Sequence, residues 1–378
     1  MRGDAPMLTA VVMPCLNERG TLEASLNSLR TASGKLGSSV FILVDNGSTD
    51  GTLDVMRAVK ERAAPNEIIV CEEPVRGYVP ARCRGIVAAA DIARQQDVTA
   101  DKLLILQVDA DTLYDPGYVA AMQAVASAQS NNVLLEGTTH PPHRFLKGHP
   151  GFVDLANETD EALGDWIADD SEDVVIDDKV SGFFYSAYLN WGGHQRDYDR
   201  NGHEIFAETS RLFLRGKRTG AQHVRVGTAS AAPSRRKILR NPVRHFATAG
   251  FPRNNAWWRE WNSRNPGARD LATFEASDSK LTLEAAVRTR QAHVVGLFWL
   301  LPLLVKQMCT PSGGNSKMGL GICDAAGPIF NETLNEPGTL LDRVLHKVDE
   351  WAANTYFSPA ELGPDGRDRL ISVRPKKI

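Results

Sequence analysis

Short apolar runs alternate with segments of helical spacing through the first 140 residues, and this alternation limits the fold more than any other feature. Between the runs, apolar side chains recur three and four residues apart, as Leu22, Leu26 and Leu29 do. Continuous apolar runs predict strands that are buried on both faces, which is typical of parallel sheets covered by helices. We therefore predict an α/β fold with an open, mostly parallel sheet flanked by helices. The runs cover residues 8–13, 40–44, 67–70, 103–108 and 133–136.

The chain from residue 141 to residue 240 follows a looser pattern. Residues 154–178 are strongly acidic and predict either a solvated helix and loop or one wall of a binding cleft. Residues 181–189 are aromatic and β-like, and residues 204–214 predict a helix that ends near a glycine.

From about residue 240 the chain is first rich in arginine and tryptophan and then shows helical spacing. We therefore predict a mainly helical C-terminal extension over residues 241–378. The tryptophan cluster at residues 257–261 either covers a ligand site or forms a buried seam between helices, and we favour the seam. The main domain is predicted over residues 1–240, with halves at 1–140 and 141–240.

Composition excludes several classes of protein. The 43 basic and 46 acidic side chains give a net charge of −3, without the strong positive field of an obligate nucleic-acid binder. A hydrophobic content of 42% is too high for a disordered chain. The five cysteines include no Cys-x-x-Cys pair, which argues against a disulfide framework or zinc ribbon and favours reduced thiols in the cytoplasm.

The longest apolar stretch runs from Val294 to Val305 and contains Pro302. A membrane-spanning helix needs about 20 apolar residues, so this stretch is too short to span a bilayer. We predict a buried helix, with peripheral membrane contact through this stretch as the alternative.

Polar residues follow three of the predicted strands at the point where each strand ends. The first strand leads into residues 14–18 (PCLNE), the second into residues 45–50 (DNGSTD), and the fourth into Asp109-Ala110-Asp111. In an open parallel sheet, ligands bind beyond the carboxyl ends of the strands, so these segments predict one site. Because Mg²⁺ and Mn²⁺ prefer hard oxygen ligands, Asp109 and Asp111 are candidate metal ligands.

Motifs for other chemistries are missing from the sequence. It has no G-x-x-x-x-G-K-[ST] phosphate loop, no G-x-G-x-x-G after the first strand and no G-x-S-x-G elbow. His203 and Glu204 begin a zinc-protease motif, but Ala207 stands where its second histidine is required.

Four segments in order resemble the family 2 glycosyltransferases of the GT-A fold. They are AVVMPCLNERGTLEASLNSL, ILVDNGSTDGT, RGYVPARCRGIVAAA and LLILQVDADT. SGFFYSAYLNWGG and GHEIFAETSRLFLRG match the acceptor side of that family more loosely. The resemblance implies an enzyme that takes a UDP- or GDP-linked sugar donor, with residues 1–140 binding the nucleotide sugar and residues 141–240 facing an unidentified acceptor.

The resemblance also implies roles for residues on the donor side. Asp45 would accept a hydrogen bond from the base, with a turn-forming aspartate as the alternative. Arg82 would approach the donor phosphates or the first aspartate, with a surface arginine as the alternative. Asp109 and Asp111 would hold Mn²⁺ or Mg²⁺ on the diphosphate, and Asp109 would also meet ribose or sugar hydroxyls. The residues implied to line the nucleoside pocket are Pro14, Leu16 and Glu18.

An inverting member of this family needs a carboxylate to take the proton of the acceptor hydroxyl. Glu204 fits that role if a one-residue slip is allowed, Glu208 is the second candidate, and helix capping is the alternative for either. The sequence departs from the family here, because Ile205 stands where the family has Asp. A missing base is compatible with a retaining enzyme. The rival functions are a nucleotidyltransferase that makes activated sugars and a catalytically silent nucleotide-sugar-binding relative.

Overall fold

The computed structural model describes residues 7–31, 38–64, 67–164, 174–199, 201–267, 283–309 and 337–354. Within these ranges the chain forms one eight-stranded sheet and a series of helices. The strands are β1 (Leu8–Cys15), β2 (Ser38–Asp45), β3 (Ile68–Glu72), β4 (Leu103–Gln107), β5 (Thr112–Tyr114), β6 (Val133–Thr139), β7 (Ser181–Phe184) and β8 (Gln222–Pro233). The α-helices are α1 (Leu22–Thr31), α2 (Thr52–Arg62), α3 (Tyr78–Gln95), α4 (Tyr118–Ala128), α5 (His143–Gly148), α6 (Pro150–Glu161), α7 (Tyr185–Asn190), α8 (Glu208–Lys217), α9 (Arg236–Arg240), α10 (Pro242–Ala247), α11 (Asn255–Arg264), α12 (Glu284–Val295), α13 (Leu301–Cys309) and α14 (Pro337–Ala353).

The sheet has the strand order β3-β2-β1-β4-β7-β6-β8-β5. Strands β1 to β4 are parallel, β7 runs antiparallel between β4 and β6, and β5 runs antiparallel to β8. Because β6 and β8 pair in parallel, six strands share one direction. The predicted α/β fold with a mostly parallel sheet is confirmed.

Both faces of the central strands are covered, as the continuous apolar runs predict. On one face, Val11 and Met13 of β1 join a core with side chains of α1, α2 and α4. On the other face, Val12 lies under Gly85 of α3. The loops beyond the strand ends are therefore held by a closely packed layer on each side.

Two predicted elements were wrong in part. Strand β7 ends at Phe184, and the aromatic residues after it form α7 instead of continuing the strand. Their helical spacing lets Tyr188 stack on Phe183 with ring centroids 5.5 Å apart and brings Trp191 against the same ring. Tertiary packing here overrides the β propensity of aromatic residues.

The predicted helix over residues 204–214 begins four residues late, at Glu208. Glu204 instead pairs with Tyr198 in an isolated antiparallel bridge, and Ala207 has a left-handed φ of 61° that separates this stretch from α8. Strand β8 was missed, because its small residues (GTASAA) give little strand signal.

The chain divides into two compact units. The first comprises Met1–Pro142, Ile176–Arg196 and Glu208–Ser234, and holds the sheet. The second comprises His143–Val175, Asp197–Ala207 and Arg235–Ile378. The boundary predicted at residue 240 stays a prediction.

The second unit contains the tryptophan cluster and the long apolar stretch. Trp257 and Trp258 pack on a core that includes the buried Trp261, which agrees with the seam interpretation. Most side chains from Val294 to Val305 are buried along α12, a π-helical stretch at Gly296–Leu300 and α13. Of the helices that the structure describes, none is long and apolar enough to cross a bilayer. Peripheral membrane contact through this stretch stays a prediction.

Candidate active site

The carboxyl ends of β1, β2 and β4 lie side by side at one edge of the sheet. Cys15 at the end of β1 is in register with Asp45 at the end of β2, and Val12 is in register with Gln107 at the end of β4. The loops that follow these strands carry most of the residues predicted for the site. Parallel pairing thus brings segments that are distant in the sequence to one place.

Backbone-to-side-chain hydrogen bonds join the loops after β1 and β2. The Asn17 N–H donates to Ser48 Oγ at 3.0 Å, and the Thr49 N–H donates to Asn17 Oδ1 at 2.8 Å. The Glu18 N–H donates to Thr52 Oγ1 at 2.8 Å. Sequence reasoning placed all of these residues except Thr52 near the site, but it missed that they fix the two loops to each other.

The three residues predicted to line a nucleoside pocket lie on β1 and in the loop after it. Pro14 is half-buried within β1, and Leu16 directly after the strand is 41% exposed. Glu18 is half-buried, and its Oε2 accepts a hydrogen bond from Thr21 Oγ1 at 2.7 Å. An exposed apolar side chain beside a carboxylate suits a nucleoside, but this role stays a prediction.

Asp45 is buried at the end of β2, and its carboxylate organises the following turn. Its Oδ2 accepts hydrogen bonds from the Gly47 N–H at 3.1 Å and the Ser48 N–H at 3.2 Å. Within the protein, Asp45 therefore acts as a turn-forming aspartate, which is the alternative considered from the sequence. Its contact with a nucleobase stays a prediction.

The turn that carries Asp109 and Asp111 is anchored from α1. Ser25 is 1% exposed, and its Oγ lies 2.6 Å from the Thr112 carbonyl oxygen and 3.0 Å from the Asp109 carbonyl oxygen. Asp111 is half-buried, and its carbonyl oxygen accepts a hydrogen bond from the Ser234 N–H at 3.0 Å. The backbone of the Asp-x-Asp motif is therefore fixed on both sides.

Arg82 of α3 lies at the centre of three carboxylates, although its side chain is only 1% exposed. Its Nε donates to Glu208 Oε1 at 2.9 Å, and its Nη2 donates to Asp178 Oδ2 at 2.6 Å. The same Nη2 lies 3.5 Å from Asp109 Oδ1. The burial of Arg82 is incompatible with the alternative of a surface arginine.

Burial, and next the neighbouring charges, shift the pKa values of this cluster. Desolvation, and next the charge of Asp178, raise the pKa of Asp109 to about 7. Burial and Asp178 also raise the pKa of Glu208. Burial lowers the pKa of Arg82, but the charges of Asp178, Glu208 and Asp109 outweigh it and leave the pKa above its usual value, so the guanidinium stays charged.

Asp178 belongs to a short turn before β7. Sequence reasoning offered the acidic stretch 154–178 as one wall of a binding cleft but did not name Asp178 as a site residue. Its neighbour Asp177 donates its backbone N–H to Glu136 Oε1 at 2.6 Å, and the Asp177 carboxylate pairs with Lys179 Nζ at 2.5 Å. Because β7 runs antiparallel to β4, the residues before β7 reach the edge at which β4 ends. The available sequence signal for Asp178 was the presence of acidic residues directly before a short apolar strand.

The donor set fits a divalent cation. Asp109 and Asp111 offer carboxylate oxygens, and three carboxylates surround the single guanidinium of Arg82. Across the described residues, no three His, Cys, Asp or Glu side chains converge as metal ligands. A cation would therefore rely on one or two carboxylates and on phosphate oxygens of a substrate, as Mg²⁺ commonly does.

The two candidate bases lie in different surroundings. Glu208 is 5% exposed at the start of α8 and is paired with Arg82 in the first unit. Glu204 is half-buried in the second unit, on the bridge to Tyr198. Which of the two takes a proton stays a prediction.

The sequence segment that forms this edge of the sheet matches a known protein family. Residues 10–165 match the profile of glycosyl transferase family 2. The chain carries a family 2 glycosyltransferase domain. The matched segment of this domain begins within β1 and includes both Asp109 and Asp111.

The family 2 domain is also similar to curated relatives. The chain is 32% identical over 136 residues to PGL/p-HBAD biosynthesis glycosyltransferases of Mycobacterium bovis and Mycobacterium tuberculosis. That match covers 35% of this chain and spans 46% of the length of these relatives.

Two solved structures have a distantly similar fold. The mannosyltransferase PcManGT from Pyrobaculum calidifontis, in complex with GDP-Man and Mn²⁺, is 14% identical with a TM-score of 0.44, over 92% of this chain and 88% of that one. The glucosyl-3-phosphoglycerate synthase from Mycobacterium tuberculosis, in complex with Mn²⁺, UDP-Glc and phosphoglyceric acid, is 17% identical with a TM-score of 0.37, over 72% and 80% of the two chains.

Proposed function

We propose that this chain transfers a sugar from a UDP- or GDP-linked donor to an acceptor hydroxyl, with a divalent cation and with inversion at the anomeric carbon. The observation that carries the proposal is the group of carboxylates around the buried Arg82, at the strand-end edge of a family 2 glycosyltransferase domain. Hard oxygen ligands at such an edge suit a cation bound to a diphosphate.

In the proposed reaction, the acceptor oxygen bonds to the anomeric carbon while the bond from that carbon to the diphosphate oxygen breaks. Mn²⁺ or Mg²⁺ held by Asp109 and Asp111 would supply positive charge where the leaving diphosphate becomes more negative. Arg82 keeps Asp109 oriented through their 3.5 Å contact. Glu204 is the proposed base that takes the proton of the acceptor hydroxyl. The residues proposed to line the nucleoside pocket are Pro14, Leu16, Glu18 and Asp45.

The first experiment incubates the protein with UDP- and GDP-sugars and Mn²⁺, and measures slow hydrolysis in which water replaces the acceptor. A glycosyltransferase releases nucleoside diphosphate. A parallel incubation supplies a nucleoside triphosphate and a sugar phosphate, which a nucleotidyltransferase joins with release of pyrophosphate. A silent binding protein releases neither nucleoside diphosphate nor pyrophosphate. Either of the last two results would contradict the proposal.

Asp111→Asn is expected to abolish this hydrolysis, because the amide is a poorer ligand for a hard cation than the carboxylate is. The free energy of unfolding should change by less than about 1 kcal/mol, since a half-buried ligand contributes little to the fold. Asp54→Asn on the exposed side of α2 is the matched control and should leave hydrolysis unchanged. Full activity of Asp111→Asn would remove Asp111 from the metal site.

Glu204→Gln tests the proposed base. With an acceptor present, kcat should fall by about 10² or more, because the amide cannot take the proton. The binding of nucleoside diphosphate should stay within twofold of wild type in an equilibrium titration. A near-normal kcat would rule out Glu204 as the base.

A further inference from the structure

The hydroxyl of Tyr114 joins the two turns that carry Asp109 and Asp178. The Asp109 N–H donates to Tyr114 Oη at 2.9 Å, and Tyr114 Oη donates to the Lys179 carbonyl oxygen at 2.8 Å. Tyr114 is only 4% exposed, so water does not substitute easily for either partner. One buried hydroxyl thus connects a backbone group five residues before Tyr114 with another that lies 65 residues after it.

The direction of both hydrogen bonds follows from their backbone partners. An amide N–H only donates and a carbonyl oxygen only accepts, so the Tyr114 hydroxyl must accept from Asp109 and donate to Lys179. Burial raises the pKa of Tyr114 well above its ordinary value, which keeps the proton needed for the second bond. The hydroxyl is therefore fully used in binding the two turns.

The rest of Tyr114 is also held in place. Its backbone N–H donates to Ser28 Oγ of α1 at 2.9 Å. Its ring meets the ring of Tyr118 edge to face, with centroids 4.7 Å apart. The hydroxyl is thus presented from a fixed ring on a fixed backbone, so that it can define the distance between the turns.

We propose that Tyr114 is a positioning residue, which sets the placement of Asp109 and Asp178 around Arg82. The inference rests on the proposed function, because it assigns Tyr114 to the reaction of that same site. Removing the hydroxyl leaves the Asp109 N–H and the Lys179 carbonyl without this partner. The turns that carry Asp109 and Asp178 are then no longer joined by a shared hydrogen-bonded group. Small misplacements of groups that orient a reaction lower its rate strongly.

Tyr118 provides a matched control four residues along the chain. Its ring is buried beside that of Tyr114, yet its hydroxyl has no hydrogen-bond partner among the described residues. Tyr114→Phe and Tyr118→Phe therefore remove the same atom from neighbouring buried rings, and only the first breaks the bridge.

The kinetic experiment measures donor hydrolysis with Mn²⁺ for wild type and both variants. Tyr114→Phe should lower kcat about tenfold or more. KM for the donor should rise by a smaller factor than kcat falls, because the loops after β1 and β2 are held by other bonds. Tyr118→Phe should keep kcat within twofold.

Val59→Ala, which removes a core side chain of α2, serves as a variant that is destabilised away from the site, and it should also keep kcat. Equal kcat values for Tyr114→Phe and wild type would overturn the inference, and so would an equal loss in Val59→Ala.

A second readout does not depend on turnover. The exchange of the Asp109 amide hydrogen, followed by NMR on the full chain, should be faster in Tyr114→Phe by tenfold or more and unchanged in Tyr118→Phe. An unchanged rate of Asp109 amide exchange in Tyr114→Phe would contradict the inference that the Tyr114 hydroxyl joins the two turns. If the wild type hydrolyses no donor, the proposed function fails, and amide exchange alone then decides whether Tyr114 holds the two turns.

Discussion

Arg82 shows how much of the candidate site is decided by a single residue. Its guanidinium contacts carboxylates from the turn after β4, the turn before β7 and the start of α8. Burying an arginine without partners is costly, and burying carboxylates beside each other is also costly. Each group is acceptable only because the others are present, so the cluster acts as a unit.

Arg82→Met tests this mutual dependence. The variant removes the guanidinium that contacts Asp109, Asp178 and Glu208, and we expect the free energy of unfolding to fall by about 3 kcal/mol or more. Urea unfolding at pH 7 measures the change. Arg57→Met is the control, since Arg57 pairs with Glu72 on the surface and should cost less than about 1 kcal/mol. Equal losses in the two variants would contradict the account.

At the scale of elements, the position of Arg82 depends on how closely α3 approaches the sheet. Gly85 follows Arg82 by one turn of α3, and a Cβ at this position would lie 2.3 Å from Val12 Cγ1 and 3.1 Å from Val44 Cγ2. Only a residue without a side chain permits this contact between α3 and the strands β1 and β2. The glycine thus contributes to the placement of the arginine above the strand ends.

Gly85→Ala is expected to force α3 away from β1 and to destabilise the protein by about 1–3 kcal/mol. Val12→Ala removes the atom that clashes, so the double variant should lose less stability than the sum of the two single variants. Thermal unfolding of the four proteins gives this coupling. Gly148→Ala on α5 is the control, since nothing lies within 4 Å of its added Cβ. Additive losses at Gly85 and Val12 would show that the clash is not what destabilises the protein.

At the scale of the whole molecule, each compact unit contains a buried histidine that stays neutral. Burial, and next Arg82, lower the pKa of His194 in the first unit. Burial, and next Arg253, lower the pKa of His293 in the second unit to about 3. The unfolded chain takes up protons on these rings near pH 6.5, but the folded chain does not. Acid should therefore weaken both units before most carboxylates titrate.

The contacts of His293 make this prediction specific. Its Nδ1 lies 2.9 Å from the Thr289 carbonyl oxygen and its Nε2 lies 3.1 Å from Arg253 Nη1. Arg290 on the same helix disfavours the charged ring, whereas Asp349 of α14 pairs with Arg253 at 2.6 Å. A proton on Nε2 would face the guanidinium and displace its hydrogen bond.

Because the pKa of His293 is lower in the folded state, its contribution to stability is complete above pH 6.5 and is lost as the pH falls toward 3. Between pH 6.5 and pH 5 the loss from this group is about 2 kcal/mol. His293→Gln should therefore lose less stability than wild type between pH 7 and pH 5 in urea unfolding. His346→Gln, at an exposed position on α14, should keep the wild-type slope. An unchanged slope in His293→Gln would contradict the prediction.

The order of apolar runs and helical segments by itself determined the α/β sheet, because burial of continuous apolar strands depends on local pattern. It also located the loops after β1, β2 and β4, including Asp109 and Asp111, since parallel strands end at one edge. Only the tertiary structure decided that Asp178 and Glu208 join Arg82, across 96 and 126 residues of chain. The same holds for Tyr114, whose hydroxyl meets two backbone groups that no periodicity connects. Such contacts depend on where β7 and α8 return to the sheet, and their charges and hydroxyls become costly or useful only once water is excluded.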